Sequence, residues 1–153
     1  AVDTPTYWSG FGHVVILLLT QVGGLGILTG ATLLGLLVSR RIPLRGKLMA
    51  SAEMRQLELG DVRHVLLLVV VTTFVTQGVI AIWLACRFWA IGFGPAEAAW
   101  HGLFHSVMAF MNAGFSTLPA GLVPHADDAL LLVPLMLGVV LGGVGFPVLH
   151  ELR

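Results

Sequence analysis

The sequence predicts an all-α integral membrane protein with three transmembrane helices and one re-entrant helix. Three observations lead there. The 153 residues are 57% hydrophobic and only 10% charged, whereas a soluble domain carries about 25% charged residues. Mean hydropathy is +0.94. Six of the eight basic residues fall in one window, from Arg40 to Arg63, and the rest of the chain is nearly uncharged.

A spanning helix needs roughly 20 apolar residues, and three segments provide them. The first runs from Ser9 to Val38, uncharged apart from the titratable His13. It exceeds the requirement, so it must tilt, bend or extend past the bilayer. The second runs from Val65 to Trp89, with Arg87 at its end, and the third from Ala129 to Leu149. Between the first two, Ser39 to His64 holds six basic and three acidic residues. Positive loops stay in the cytoplasm. Asp3, Arg87, Glu97, Asp127 and Asp128 then lie outside, where Tyr7, Trp8, Phe88 and Trp89 suit the outer boundary. The basic cluster Arg40, Arg41, Arg45 and Lys47 reads as a topology signal, or as a docking surface for a cytosolic partner or anionic lipid.

The segment from Gly94 to Thr117 is too apolar for an ordinary loop. Pro95 suits a first helical position and Glu97 the positive end of a helix dipole. Both flanks lie outside, so a helix from Pro95 to Met111 must enter the membrane and come back. Such a segment is tolerated only when buried in protein or lining a water-filled cavity.

The chain also repeats itself. At an offset of 119, Pro5 aligns with Pro124, and Gly23-Gly24-Leu25-Gly26 with Gly142-Gly143-Val144-Gly145. Such repeats accompany pseudo-symmetric pores and carriers. The offset puts a counterpart of the re-entrant segment just before Ala1, so the chain is expected to begin partway through a longer polypeptide. A secretory leader is not expected, since no basic region precedes the first apolar run. The expected organisation is residues 1–38 as the second helix of a preceding unit, 39–64 as a cytoplasmic linker, and 65–153 as one complete unit.

A cation crossing a membrane loses its water, and backbone carbonyls replace that water without burying a charge. Asn112-Ala113-Gly114-Phe115 directly follows the re-entrant helix. Gly114 permits the unusual backbone such a loop needs, and the helix aims its negative end at the same place. This makes the element a pore helix with a filter loop; a plain Asn/Gly helix cap is the other reading. The run His105-Ser106-Val107-Met108-Ala109-Phe110-Met111-Asn112-Ala113-Gly114-Phe115-Ser116 resembles the fourth pore loop of the Trk/Ktr/HKT superfamily. Asp3-Thr4 through Gly23-Gly24-Leu25-Gly26-Ile27-Leu28-Thr29 is similar to the second helix of that superfamily's third unit, and Arg40-Arg41-Ile42-Pro43-Leu44 fits its linker. The resemblance implies four helix–pore–helix units around one K⁺ path in the plasma membrane. It also implies a dimer of such polypeptides and, in bacterial members, a cytosolic nucleotide-binding subunit of the TrkA/KtrA type. It places the filter at Asn112, Ala113, Gly114 and Phe115, with K⁺ as the transported ion, Na⁺ or mixed transport as an alternative, and no organic cofactor.

Other features keep two readings. Gly23, Gly24, Gly26, Gly142, Gly143 and Gly145 serve close helix packing or a gating bend, and Gly145-Phe146-Pro147 favours a kink. His101 and His105 support the pore helix by hydrogen bonding, or bind a metal in an intramembrane metalloprotein. Thr72, Thr73, Thr76 and Gln77 bond between helices or line a pore. Asp127 and Asp128 form a solvated outer loop or concentrate cations at a mouth. Cys86 is the single cysteine, so neither an intrachain disulfide nor a thiolate metal site is expected. No Ser/His/Asp set or phosphate loop marks an enzyme, and zero net charge gives no argument for nucleic acid. A membrane scaffold without transport is the remaining rival.

Overall fold

The computed structural model describes residues 3–39 and 58–144, and among them every regular element is helical. A short helix α1 (Thr4–Tyr7) leads into α2 (Gly10–Ser39). Then come α3 (Glu58–Ala90), α4 (Pro95–Phe110) and α5 (Ala129–Val144), with a single 3₁₀ turn at Val123–His125 before α5. The protein is an all-α membrane protein. The basic cluster Arg40–Lys47 and the Gly145-Phe146-Pro147 motif lie outside the described residues. α3 starts at Glu58, ahead of the apolar run that begins at Val65. Hydrophobicity marks the part of a helix that meets lipid, not where its hydrogen-bond ladder begins.

α4 is 16 residues long, about 24 Å by standard rise, short of a hydrocarbon core of about 30 Å. Its chain returns to where it left. Arg87, one turn from the end of α3, holds Asp128 at 2.8 Å, and Asp128 sits directly before α5. The segment between α3 and α5 therefore leaves and re-enters at the same end of α3. Asp128 also accepts the Leu131 N–H on Oδ1 at 3.2 Å, capping α5. The Arg87 guanidinium holds its carboxyl below the usual carboxylate range. Asp128 is thus a cap and an ion-pair partner rather than a solvated loop residue, while Asp127 stays exposed.

Close backbone approach sets the packing of α4. A Cβ on Gly102 would stand 2.6 Å from the Ala81 carbonyl oxygen and 2.7 Å from the Ala85 nitrogen of α3. On α5, a Cβ at Gly142 would overlap the Phe110 carbonyl, and one at Gly138 would come within 3.3 Å of the Ala109 side chain. Ile80, Leu84, Phe88, Ala98, Ala109, Leu131 and Leu135 fill the space between the three helices. Phe88 is fully buried, not at the outer boundary, because its ring packs between Phe93 and the α4 histidines. Tyr7, Trp8 and Trp89 are exposed.

Among the described residues α2 meets this unit through a buried polar contact, a glycine and the edge-to-face pair His13–Phe104. Gln77 donates from Nε2 to Gln21 Oε1 at 3.1 Å, and Gly24 lies against the Met111 side chain. The polar face of α3 is divided in use. Thr72 bonds back to the Leu68 carbonyl at 2.7 Å, Gln77 bonds across helices, and the hydroxyl of the buried Thr73 has no partner among the described residues.

Pro134 lies inside α5. Having no N–H, it cannot pair with the Leu130 carbonyl four residues back. The Trp83 indole of α3 donates to that carbonyl instead, at 3.0 Å, as a neighbouring helix must where lipid offers no donor. Trp83→Phe is expected to cost about 1 kcal/mol of stability. Pro134→Ala restores the missing donor, so the double variant should recover most of that loss. Thermal unfolding in detergent measures both, and an undiminished loss in the double variant refutes the assignment.

Candidate functional site: the loop after the re-entrant helix

The loop begins with a helix cap. Asn112 has φ +55°. Its N–H donates to the Ala109 carbonyl at 3.1 Å, and the Ala113 N–H reaches the Met108 carbonyl at 2.9 Å. This pair of bonds closes the helix in a Schellman arrangement with Asn112 at the left-handed position, which asparagine tolerates better than most residues. The cap reading and the filter reading are therefore compatible. Capping engages the N–H groups of Asn112 and Ala113 and leaves their carbonyls uncommitted.

From Ala113 to Ser116 the chain is irregular, neither helix nor strand. Gly114 has φ +72°. A Cβ there would meet nothing within 4 Å. The requirement for glycine is thus backbone conformation, not space. Among the described residues, no donor is seated on the carbonyls of Asn112, Ala113, Gly114 or Phe115. Four successive acceptors are free beyond the negative end of a 16-residue helix. An open cleft of about 370 Å³ adjoins them, lined by His105, Asn112, Gly114, Ser116, Leu135 and Val139 among others. The chain then turns at Ala120 (φ +59°) and Gly121 (φ +63°) toward α5.

The two α4 histidines bond to the end of this loop. His101 Nδ1 is 2.7 Å from Thr117 Oγ1, and its Nε2 is 3.7 Å from Glu97 Oε1. His105 Nδ1 is 2.8 Å from the His101 carbonyl, and its Nε2 is 3.0 Å from Ser116 Oγ. With both His105 nitrogens engaged, the metal-binding reading has no free ligand atom on that ring. Among the described residues, no group of three His, Cys, Asp or Glu side chains stands ready for a metal.

The glycine motifs separate in the structure. Gly24 meets Met111, Gly142 meets Phe110, and a Cβ on Gly143 would stand 3.7 Å from Asn112 Nδ2. These three surround the end of α4. Gly23 and Gly26 face open space, and Gly145 lies outside the described residues. Ser116 was read only as the end of the loop, and the supporting roles of Thr117 and Gly102 escaped the sequence reading. For Gly102 a signal existed: Ala98, Gly102 and Ser106 place a small residue every four positions along α4.

Comparison with known proteins places this architecture. The family model for TrkH, cation transport protein, matches residues 1–152. The chain belongs to the TrkH family. It is 30% identical over 150 residues to Ktr system potassium uptake protein B of Bacillus subtilis, covering 98% of this chain and 34% of that protein. It is 28% identical over 150 residues to the protein of the same name in Vibrio alginolyticus, covering 98% and 33%. It is 25% identical over 150 residues to potassium/sodium uptake protein NtpJ of Enterococcus hirae, again covering 98% and 33%. The chain spans about a third of the length of these curated relatives. TrkH is a family of transport proteins, not of enzymes.

The left-handed cap makes a direct prediction. Asn112→Gly should leave stability nearly unchanged, and Asn112→Val should lose about 1–2 kcal/mol from the left-handed backbone penalty. Thermal unfolding of the detergent-solubilised protein measures the difference. Equal stability of the two variants rules out the cap.

Proposed function

We propose that this chain supplies one carbonyl-lined filter segment of a pore that takes up K⁺ across the plasma membrane. The supporting observation is the run of unpaired carbonyls from Asn112 to Phe115, set at the negative end of a helix that does not cross. A dehydrated monovalent cation needs several oxygen ligands that carry no full charge, and peptide carbonyls are such ligands. One segment cannot encircle an ion, so the pore requires further filter segments from the rest of a larger polypeptide. Relatives about three times as long agree with that requirement.

In this reading residues 39–64 face the cytoplasm, on the strength of their positive charge. The polypeptide pairs with a second copy and with a cytosolic nucleotide-binding subunit of the TrkA/KtrA type. The glycines around the end of α4 act as packing or gating positions below the filter. Transport of Na⁺ as well as K⁺ is the second reading, favoured by the potassium/sodium name of one relative.

Gly114→Ser in the complete transporter is the test. The open space at Gly114 means a serine costs backbone strain of about 1–2 kcal/mol and no clash. The variant should therefore reach the membrane at near-normal levels while its K⁺ uptake, or its preference for K⁺ over Na⁺, falls about tenfold or more. Uptake of Rb⁺ and Na⁺ by cells lacking other K⁺ systems provides the reading. Normal flux and normal preference would contradict the filter.

A further inference from the structure

The start of the carbonyl run is held by the Asn112 cap, and its end is held by side chains. We propose that His105 and Thr117, acting with Ser116 and His101, are positioning residues that set where the four carbonyls stand. The proposal rests on the filter reading above and concerns how that filter keeps its shape.

The bonding pattern assigns each group a role. His105 Nδ1 faces a carbonyl, that of His101 at 2.8 Å, so it carries the hydrogen. Nε2 is then the acceptor, and the Ser116 hydroxyl donates to it at 3.0 Å. Ser116 Oγ in turn accepts the Leu118 N–H at 3.1 Å. Each group in the relay from Leu118 through Ser116 to His105 is satisfied, with a neutral imidazole. A second bond, from Thr117 Oγ1 to His101 Nδ1 at 2.7 Å, lies one residue further along the loop and one helical turn back along α4.

Both anchors are rigid. His105 is 3% exposed and Thr117 6%, and the Phe88 ring lies 5.7 Å from both imidazoles. A straight extended chain points successive side chains to opposite sides, so it cannot send both Ser116 and Thr117 to one helix. The chain bends at Thr117 and Leu118, and the two bonds hold that bend. Asn112 to Phe115 is thus a four-residue bridge between two fixed ends. Neutral anchors also suit the place, because a cationic side chain behind the carbonyls would repel the ion they bind.

The complete transporter carries the test. His105→Leu and Thr117→Val remove the two bonds while keeping much of the volume. Each should lower the K⁺-to-Na⁺ preference about three- to tenfold, the worth of one hydrogen bond. Apparent K⁺ affinity should suffer more than maximal rate. His105→Gln, whose Oε1 takes the acceptor place of Nε2, and Thr117→Ser, which keeps the hydroxyl, should restore most of the preference. Wild-type preference in His105→Leu and Thr117→Val, with Gly114→Ser impaired, overturns the positioning role and leaves the filter reading intact. Wild-type behaviour of Gly114→Ser overturns both. Should His105→Leu fail to reach the membrane, the nearly isosteric Thr117→Val decides alone.

Discussion

A backbone that stops being helical at membrane depth loses its internal hydrogen-bond partners where lipid offers none. In this chain that happens after Phe110, and the surrounding structure is organised around it. The Schellman cap engages the donors of Asn112 and Ala113. The hydroxyls of Ser116 and Thr117 are tied to α4. Among the described residues the carbonyls from Asn112 to Phe115 remain without a donor.

Keeping such a loop in place requires a rigid frame, and the frame is made from missing side chains. Lipid tails are as apolar as leucine, so helices in a bilayer associate through close packing rather than exclusion of water. Gly102 brings α4 onto the α3 backbone, and Gly142 brings α5 onto the Phe110 carbonyl. Pro134 and Trp83 show the same constraint at another point. A carbonyl released by proline is recaptured by the neighbouring helix. Where α3 ends and α5 begins, Arg87 and Asp128 close the hairpin with an ion pair, and Asp128 also caps α5.

The repeat acquires a physical meaning from these contacts. Gly142 touches the end of the α4 in its own unit, whereas its aligned partner Gly23 touches nothing. Gly24, beside it, receives Met111 from the following unit. The motif therefore meets the end of α4 from two sides, through Gly142 on α5 and Gly24 on α2. Only one kind of contact is made by each copy among the described residues.

The long helices, the short buried one among them and the loop that ends it were legible in the sequence, whereas the four-residue α1 was not. They depend on local quantities: apolar run length against bilayer thickness, charge placement, and Pro and Gly where backbone angles demand them. The Asn112–Phe115 run could be located because Asn and Gly are the residues that leave a helix through positive φ. What only the tertiary structure decided is how that run is held. Nothing local ties His105 to Ser116 or His101 to Thr117, and Phe88 has the composition of a boundary aromatic until α4 packs against it. Asp128 likewise reads as a solvated acid until Arg87, 41 residues earlier, is brought beside it. Such bonds join positions that the fold alone makes neighbours, so one-dimensional patterns carry no trace of them.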